Sequence, residues 1–515
     1  MGRRSTRVVK NAGITLLING IRFASKTALS IVTARVLGPK NLGVLSLVAS
    51  FASLGSLFVN LGIAFGVTKY VAELDGKKDR ENIGAFINFA LMLKTSAACV
   101  IVFALVVLSG HIAGFFNIPE VQNLFIIAFL SLIPGGISGI FSSALAGVQQ
   151  YHYSLKIHLV SDPISFAASV IVLLQGYGVS GLLLVGLVMS ILRMMANVAA
   201  ARFEGLLNTK FKIPAELRKR AIRFNMGVTT MMVLDEIVWK RSEVYFLGKF
   251  RPIQEAGLYS LAYSFTTMTV TFVSSAISSV LVPIQSQAFG EKNTDRMKKI
   301  YHKSMKYLAM ASFPIAAGGI ALAEPLIGII YGSQYLPVAG IGCLLFISSA
   351  GARVGAGFAS LMYSAELVAV KVRFGIGYAI LNILLDFLLI PKYGIWGAAI
   401  ANSSTQLLGL LIGPFVIYHF FKFEFPAMAV FRVILAAGFM GGGVYAIWGL
   451  LEIQNIAALL ATILVGVVLY GIGLLIFGAI DRDDVRLMKD VYDKLPAPLK
   501  GRYVLLFQRL ESYVK

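Results

Sequence analysis

Arg22 and Lys26 stand four residues apart in an apolar stretch that contains no acid. Thr15, Asn19, Arg22, Lys26, Ser30 and Thr33 follow one another at spacings of 4, 3, 4, 4 and 3, so on a helix they share one face. If that helix crosses a bilayer, each ionised group costs about 2.5–3.5 kcal/mol even on the lenient insertion scale. Two such bases need water, a partner or an anionic ligand. Guanidinium and ammonium groups are the side chains that hold phosphate oxygens. A second stripe lies about 210 residues on, in Asn225, Thr229, Met232, Glu236, Lys240 and Glu243, with Asp235 and Arg241 beside it. Here Glu236–Lys240 and Lys240–Glu243 could satisfy each other within the helix. Arg353 is a third isolated base in an apolar run, and Asp162 and Asp386 are isolated acids that could hold a coupling cation or serve as caps. Lys69, Lys94 and Arg193 lie near expected cytoplasmic ends and are read as snorkelling, and His158 as structural.

The elements that carry these residues follow from composition. Of 515 residues, 57% are apolar and 14% charged. A soluble domain has about 25% charged residues, so several soluble domains are excluded and a helical, many-span membrane protein is indicated. Cys99 and Cys343 both sit in apolar runs, with no metal-binding spacing around them. The basic start (Arg3, Arg4, Arg7, Lys10) looks like a signal peptide, but Arg22 and Lys26 interrupt the apolar run, which is therefore read as a retained first span.

Fourteen helices are expected, at about 12–36, 42–71, 84–109, 121–148, 154–176, 178–203, 223–249, 256–285, 304–331, 335–363, 368–391, 394–420, 427–450 and 454–478. With the N-terminus inside, 33 Lys and Arg fall in cytoplasmic segments, 4 in outside loops and 9 within spans. That bias puts both termini in the cytoplasm and explains most of the net charge of +21 as topology and contact with anionic lipid, not a nucleic-acid surface.

The two halves repeat each other. Val36-Leu37-Gly38 and Leu42-Gly43-Val44-Leu45-Ser46 match Phe246-Leu247-Gly248 and Ala256-Gly257-Leu258-Tyr259-Ser260, and Tyr177-Gly178-Val179-Ser180-Gly181 matches Tyr393-Gly394-Ile395-Trp396-Gly397. Six spans per copy is an even number, so the copies share one orientation, as in transporters built from parallel repeats. The expected organisation is all-α: a six-helix bundle over 1–203, a basic cytoplasmic linker over 204–222, a second six-helix bundle over 223–421, two further helices over 427–478, and a cytoplasmic amphipathic tail over 479–515. Asp481-Arg482-Asp483 in that tail resembles the metal-binding triplet of sugar-nucleotide transferases, but without a nucleotide-binding domain it reads as a solvated helix start.

The segment Thr33-Ala-Arg-Val-Leu-Gly-Pro-Lys-Asn-Leu-Gly-Val-Leu-Ser46, followed by Leu61-Gly-Ile-Ala-Phe-Gly-Val-Thr-Lys-Tyr-Val-Ala-Glu73, resembles the start of the Wzx-like polysaccharide flippases. These belong to the MOP exporter superfamily, together with the lipid II flippases and the MATE exporters. The resemblance covers the whole membrane region. It implies two bundles around a central cavity that opens alternately to either face. The cargo would be a polyprenyl- or dolichyl-diphosphate-linked oligosaccharide, moved across the cytoplasmic membrane for surface polysaccharide or glycan assembly. Arg22, Lys26, Lys240, Arg241 and Arg353 are the positions that could hold its diphosphate, with Thr15, Asn19, Asn225, Thr229, Asp235, Glu236 and Glu243 as supporting polar groups. A transporter, not an enzyme, is implied, with no cofactor and with membrane lipids and a polysaccharide polymerase or ligase as partners. A cation-coupled drug exporter of the MATE type is the alternative on the same fold. It is disfavoured because the first span supplies two bases and no acid. A membrane glycosyltransferase would need acidic motifs on sizeable loops, whereas the longest outside loop, 110–120, has about a dozen residues.

Overall fold

The structure, a computed structural model, describes residues 2–207, 213–239, 242–365, 367–451, 453, 455–482 and 484–485. The described residues form helices and no strands. In chain order these are α1 (Gly2–Asn60), α2 (Ile63–Gly76), α3 (Arg80–Phe115), α4 (Gln122–Leu130), α5 (Leu132–Gly147), α6 (Tyr151–Leu174), α7 (Gly178–Phe203), α8 (Ala215–Trp239), α9 (Ser242–Phe250) and α10 (Ile253–Gly290). They continue as α11 (Thr294–Ala321), α12 (Ala323–Ile330), α13 (Ala339–Ser364), α14 (Val368–Tyr393), α15 (Ile395–Phe421), α16 (Ala427–Leu450) and α17 (Ile456–Ile476). Among the described residues, ten helices are long and apolar enough to cross a bilayer, or eleven if α11 and α12, bent by 75°, form one span. The expected fourteen are not reached by this measure, in part because the stretch Arg22–Gly76 counts once although it holds the first two expected spans. Exposed apolar side chains such as Phe103, Val107, Phe415, Leu464 and Val467 give these helices the outer surface that hydrocarbon requires.

Helix ends differ from the sequence expectation where backbone chemistry intervenes. The first two expected spans run through one element with a single break at Gly38 (φ 71°, ψ 173°), just before Pro39. The second then ends early, at Leu61 and Gly62, both at positive φ. The supposed outside loop at 110–120 is largely helix, because α3 continues to Phe115.

The sequence repeat has a structural counterpart. Gly178 and Gly394, equivalent in the repeat, both take the left-handed conformation, at φ 57° and 55°. Each follows a tyrosine and opens a helix, where a residue with a Cβ would be strained. More telling is the crossing of α1 and α10. A Cβ placed on Gly43 would collide with the Ile253 carbonyl oxygen, and one on Gly257 with the Pro39 carbonyl oxygen. The added atom at Gly257 would also lie 2.6 Å from the Gly43 nitrogen. Gly43 and Gly257 are repeat-equivalent, and each meets the carbonyl four residues before the other. Backbone approach this close is the usual reason for small residues at membrane-helix crossings.

The chain forms two compact units, Met1–Leu261 with Gly375–Ala398, and Ala262–Phe374 with Ala399–Lys515. The first has a core of Ile63, Val67, Tyr70, Phe86, Ile140 and Phe141 among its neighbours; the second centres on Met305, Tyr301, Val354, Phe358, Ile417 and Val433. The second unit also supplies a partner for the start of the tail. Asp481 lies 2.7 Å from the buried Lys306 ammonium, and Asp484, itself buried, also pairs with Lys306 and accepts from Tyr307 Oη at 2.7 Å. Burial pushes the Asp481 carboxyl up, but Lys306 and the Asp484 backbone N–H outweigh that and hold it below the usual carboxylate range. Asp481 is exposed and caps the helix start, accepting from the Asp484 backbone N–H at 2.9 Å, so the segment is the helix start that its acids suggest and, in addition, a clamp on α11; Asp483 and 486–515 lie outside the described residues.

Replacing Gly257 by Val must push α10 off α1. The expected cost is at least about 1–3 kcal/mol, as for overpacking elsewhere, seen as a lower Tm of the detergent-solubilised protein. An unchanged Tm would show that the crossing is looser than drawn.

Candidate functional site

In the first unit, Arg22 and Lys26 lie on an exposed face of α1, and neither forms a hydrogen bond or ion pair among the described residues. α6 and α7 pack against this helix. On α6, buried Asp162 is bonded through Oδ1 and flanked by a histidine, while its Oδ2 has no hydrogen-bond partner among the described residues. Arg193 on α7 donates from Nη2 to Asp162 Oδ1 at 2.8 Å and from Nε to Ser161 Oγ at 3.0 Å. His158, one turn earlier on α6, places Nδ1 3.3 Å from Asp162 Oδ2. The charges of Arg22, Asp162 and Arg193 all bear on Lys26, and the same three bear on His158. These five groups therefore form one electrostatic neighbourhood with three permanent cations and one anion. Its surplus is positive and lies on Arg22 and Lys26.

A second constellation in the same unit is acidic. Asn382 and Asp386 are four residues apart on α14, hence on one helix face, and meet Ser242 and Glu243 at the start of α9. Ser242 Oγ donates to Asp386 Oδ2 at 2.8 Å, and Asn382 Nδ2 lies 2.8 Å from Ser242 Oγ, 3.2 Å from Asp386 Oδ2 and 3.4 Å from Glu243 Oε1. Asp386, Asn382 and Glu243 are fully buried. Asp386 Oδ1 and Asn382 Oδ1 have no hydrogen-bond partner among the described residues. Buried oxygens left unsatisfied are costly, and a set of carboxylate and amide oxygens is the donor set of a hard cation or a site for a proton.

Other expected site residues are placed as follows. Arg353, half-buried on α13 of the second unit, has no ion pair or hydrogen bond among the described residues. Asn225 on α8 is pressed against α2, where a Cβ on Gly66 would lie 3.0 Å from its Cγ, and its Oδ1 is buried without a described partner. Thr229 donates to the Asn225 carbonyl at 2.7 Å. Lys240 and Arg241 lie outside the described residues, as do the side chains of Thr15, Asn19, Asp235 and Glu236. Cys99 and Cys343 are both free.

Of the residues read as snorkelling, Lys69 lies over the Phe224 ring at 4.0 Å, but Arg193 is bound to Asp162. Lys94 is buried, with only 1% of its surface exposed. It is fourteen residues into α3, and its burial leaves the amine no path to water. Gly136 and Gly139 on α5 leave room for it: a Cβ on Gly139 would lie 3.4 Å from Nζ. No acceptor for that amine occurs among the described residues.

The sequence profile of the family described as "Polysaccharide biosynthesis protein" matches residues 32–340, more than half of the chain. The chain belongs to the polysaccharide biosynthesis protein family. Among its relatives is the "Probable low-salt glycan biosynthesis flippase Agl15" of Haloferax volcanii, 20% identical over 441 residues, which cover 85% of this chain and 89% of the relative. Among solved structures, the lipid II flippase MurJ in an inward closed conformation superposes with a TM-score of 0.71 at 17% identity, covering 90% of this chain and 98% of MurJ. An inward-facing multidrug resistance MATE transporter of the MOP superfamily gives 0.63 at 14% identity, over 77% of this chain and 95% of its own. The fold of this polysaccharide biosynthesis protein is thus the fold shared by those transporters, a multi-pass membrane architecture.

Lys94 is a buried amine without an acceptor among the described residues of this family member, so removing its polarity should relieve a desolvation cost of about 1–3 kcal/mol. Lys94→Met is expected to raise Tm by a few degrees in detergent. A fall would reveal an acceptor for the amine.

Proposed function

We propose that this protein is a flippase that moves a polyprenyl- or dolichyl-diphosphate-linked oligosaccharide across the cytoplasmic membrane by alternating access. The observation that carries the reading is the pair Arg22 and Lys26: two bases on one exposed face of a membrane helix, unpaired among the described residues, beside an acid already taken by Arg193. A diphosphate brings negative charge into hydrocarbon, and these groups are suited to hold it while the lipid tail stays in the bilayer. Membership of the polysaccharide biosynthesis family and the flippase named among the relatives support the cargo class. Lys240 and Arg241 are assigned to the same headgroup, with Thr15, Asn19, Asn225, Thr229, Asp235 and Glu236 as supporting polar groups, and Arg353 is assigned to anionic cargo within its own unit. Both termini are placed in the cytoplasm on the distribution of Lys and Arg, with fourteen spans in two repeated bundles and two added helices.

Energy for the cycle is assigned to a cation or proton taken up at Asp386. There the buried oxygens of Asp386 and Asn382 lack a described partner, with Glu243 alongside. Asp162, held by Arg193, is better suited to keeping the charge balance of the basic site. A polysaccharide polymerase or ligase is the partner expected to use the flipped product.

The test is flipping in proteoliposomes, with a labelled polyprenyl-diphosphate oligosaccharide and, in parallel, a cationic dye. Wild type should flip the lipid, and Arg22→Ala/Lys26→Ala should lose flipping while reaching the membrane in normal amounts. Dye transport without lipid flipping would replace this reading by that of a MATE-type exporter. In the same assay, Asp386→Asn should remove the dependence of rate on an imposed sodium or proton gradient. A gradient dependence that survives Asp386→Asn would place the coupling site elsewhere.

A further inference from the structure

We infer that Arg193 is a positioning residue of the basic site: by neutralising Asp162 it leaves the charges of Arg22 and Lys26 available to an anionic headgroup. This rests on the reading that Arg22 and Lys26 hold that headgroup.

The geometry is that of a built device. α7 is held against α5 by Asn197, whose Nδ2 donates to Ser138 Oγ at 3.1 Å and to the Arg193 carbonyl at 2.9 Å, so the turn that carries Arg193 is fixed. From there the guanidinium uses two of its donors at once, Nη2 to Asp162 and Nε to Ser161, each at 3.0 Å or less. A planar fork with two defined acceptors is an arrangement that lysine cannot reproduce. The acid is buried on α6, in a helix packed directly on the one that bears Arg22 and Lys26. Its charge reaches Lys26, as does that of Arg193 with opposite sign.

If Arg193 lost its charge, Asp162 would remain a buried carboxylate whose remaining basic neighbours are His158, 3.3 Å away, and Lys26 on the packed helix α1; of the two, Lys26 carries the permanent positive charge. In a medium of low dielectric that attraction is large. Lys26 would be drawn into an internal pair, and the site would lose the charge with which it meets phosphate. Removing the acid together with the guanidinium should therefore restore what removing the guanidinium alone destroys.

The experiment measures the KM and maximal rate of lipid flipping in proteoliposomes for Arg193→Leu, Arg193→Leu/Asp162→Asn and Arg193→Lys, with the amount of inserted protein determined for each. Arg193→Leu is expected to raise KM roughly tenfold or more, as when one partner of a buried charge pair is removed, and the double variant to return it close to the wild-type value. Arg193→Lys, which keeps the charge but not the fork, should flip with a moderately raised KM and serves if Arg193→Leu fails to insert. The inference is overturned if the double variant stays impaired at normal insertion, since Arg193 would then touch the cargo or only hold the helices together. It is equally overturned if Arg193→Leu has the wild-type KM, or if Arg193→Lys inserts normally and does not flip. Normal flipping by Arg22→Ala/Lys26→Ala would remove the underlying reading itself, whatever the Arg193 variants do.

Discussion

An ionised side chain inside hydrocarbon must be neutralised, hydrated or put to use, and the polar architecture of this protein is organised by that constraint. Its buried charges meet it in different ways. Asp162 is neutralised by Arg193. Lys306 is clamped between Asp481 and Asp484. Asp386 and Asn382 each keep an oxygen without a partner among the described residues, a state that a bound cation or proton would relieve. Arg22 and Lys26 stay exposed on their helix, with no acid bound to them among the described residues. An acid balanced inside the protein beside bases left unbalanced is what separates a site for an anion from a structural ion network, and it makes the surplus positive charge a property of three helices together.

The all-helical membrane class, the repeat and the family resemblance were legible in the sequence because each depends on runs and spacings. Apolar length marks a span, and matching glycines at Gly178 and Gly394 mark equivalent helix starts that take the same left-handed backbone. Arg22 and Lys26 could be singled out because their own helix lacks an acid. Partners across helices were not legible. Nothing in the spacing of Arg193 and Asp162, on neighbouring helices, says that they meet, so Arg193 was read as reaching for an interface. Lys94 was misread in the same way: whether a lysine snorkels depends on the surface of another helix, here the glycines of α5. The contact of Ser242 with Asp386 joins positions far apart in the chain and left no local sign, although the i,i+4 placement of Asn382 and Asp386 was there to be noticed. At the start of the tail the acidic run signalled the helix start that Asp481 caps, but nothing local showed that Asp481 and Asp484 also meet the buried Lys306.

The crossing of α1 and α10 bears on how such a protein can change over time. The two glycines do not oppose each other as side chain to side chain; each meets the other copy's backbone carbonyl. A larger residue at one position therefore cannot be accommodated by a smaller one at the other, because no atom removed from residue 257 would clear the Ile253 carbonyl from a side chain at 43. Compensation is closed off by geometry. Across diverging descendants the two positions should be constrained singly instead of exchanging volume as a pair. Methods that infer proximity from correlated substitution would then pass over this contact, although the two backbones meet there with no room for a Cβ on either glycine.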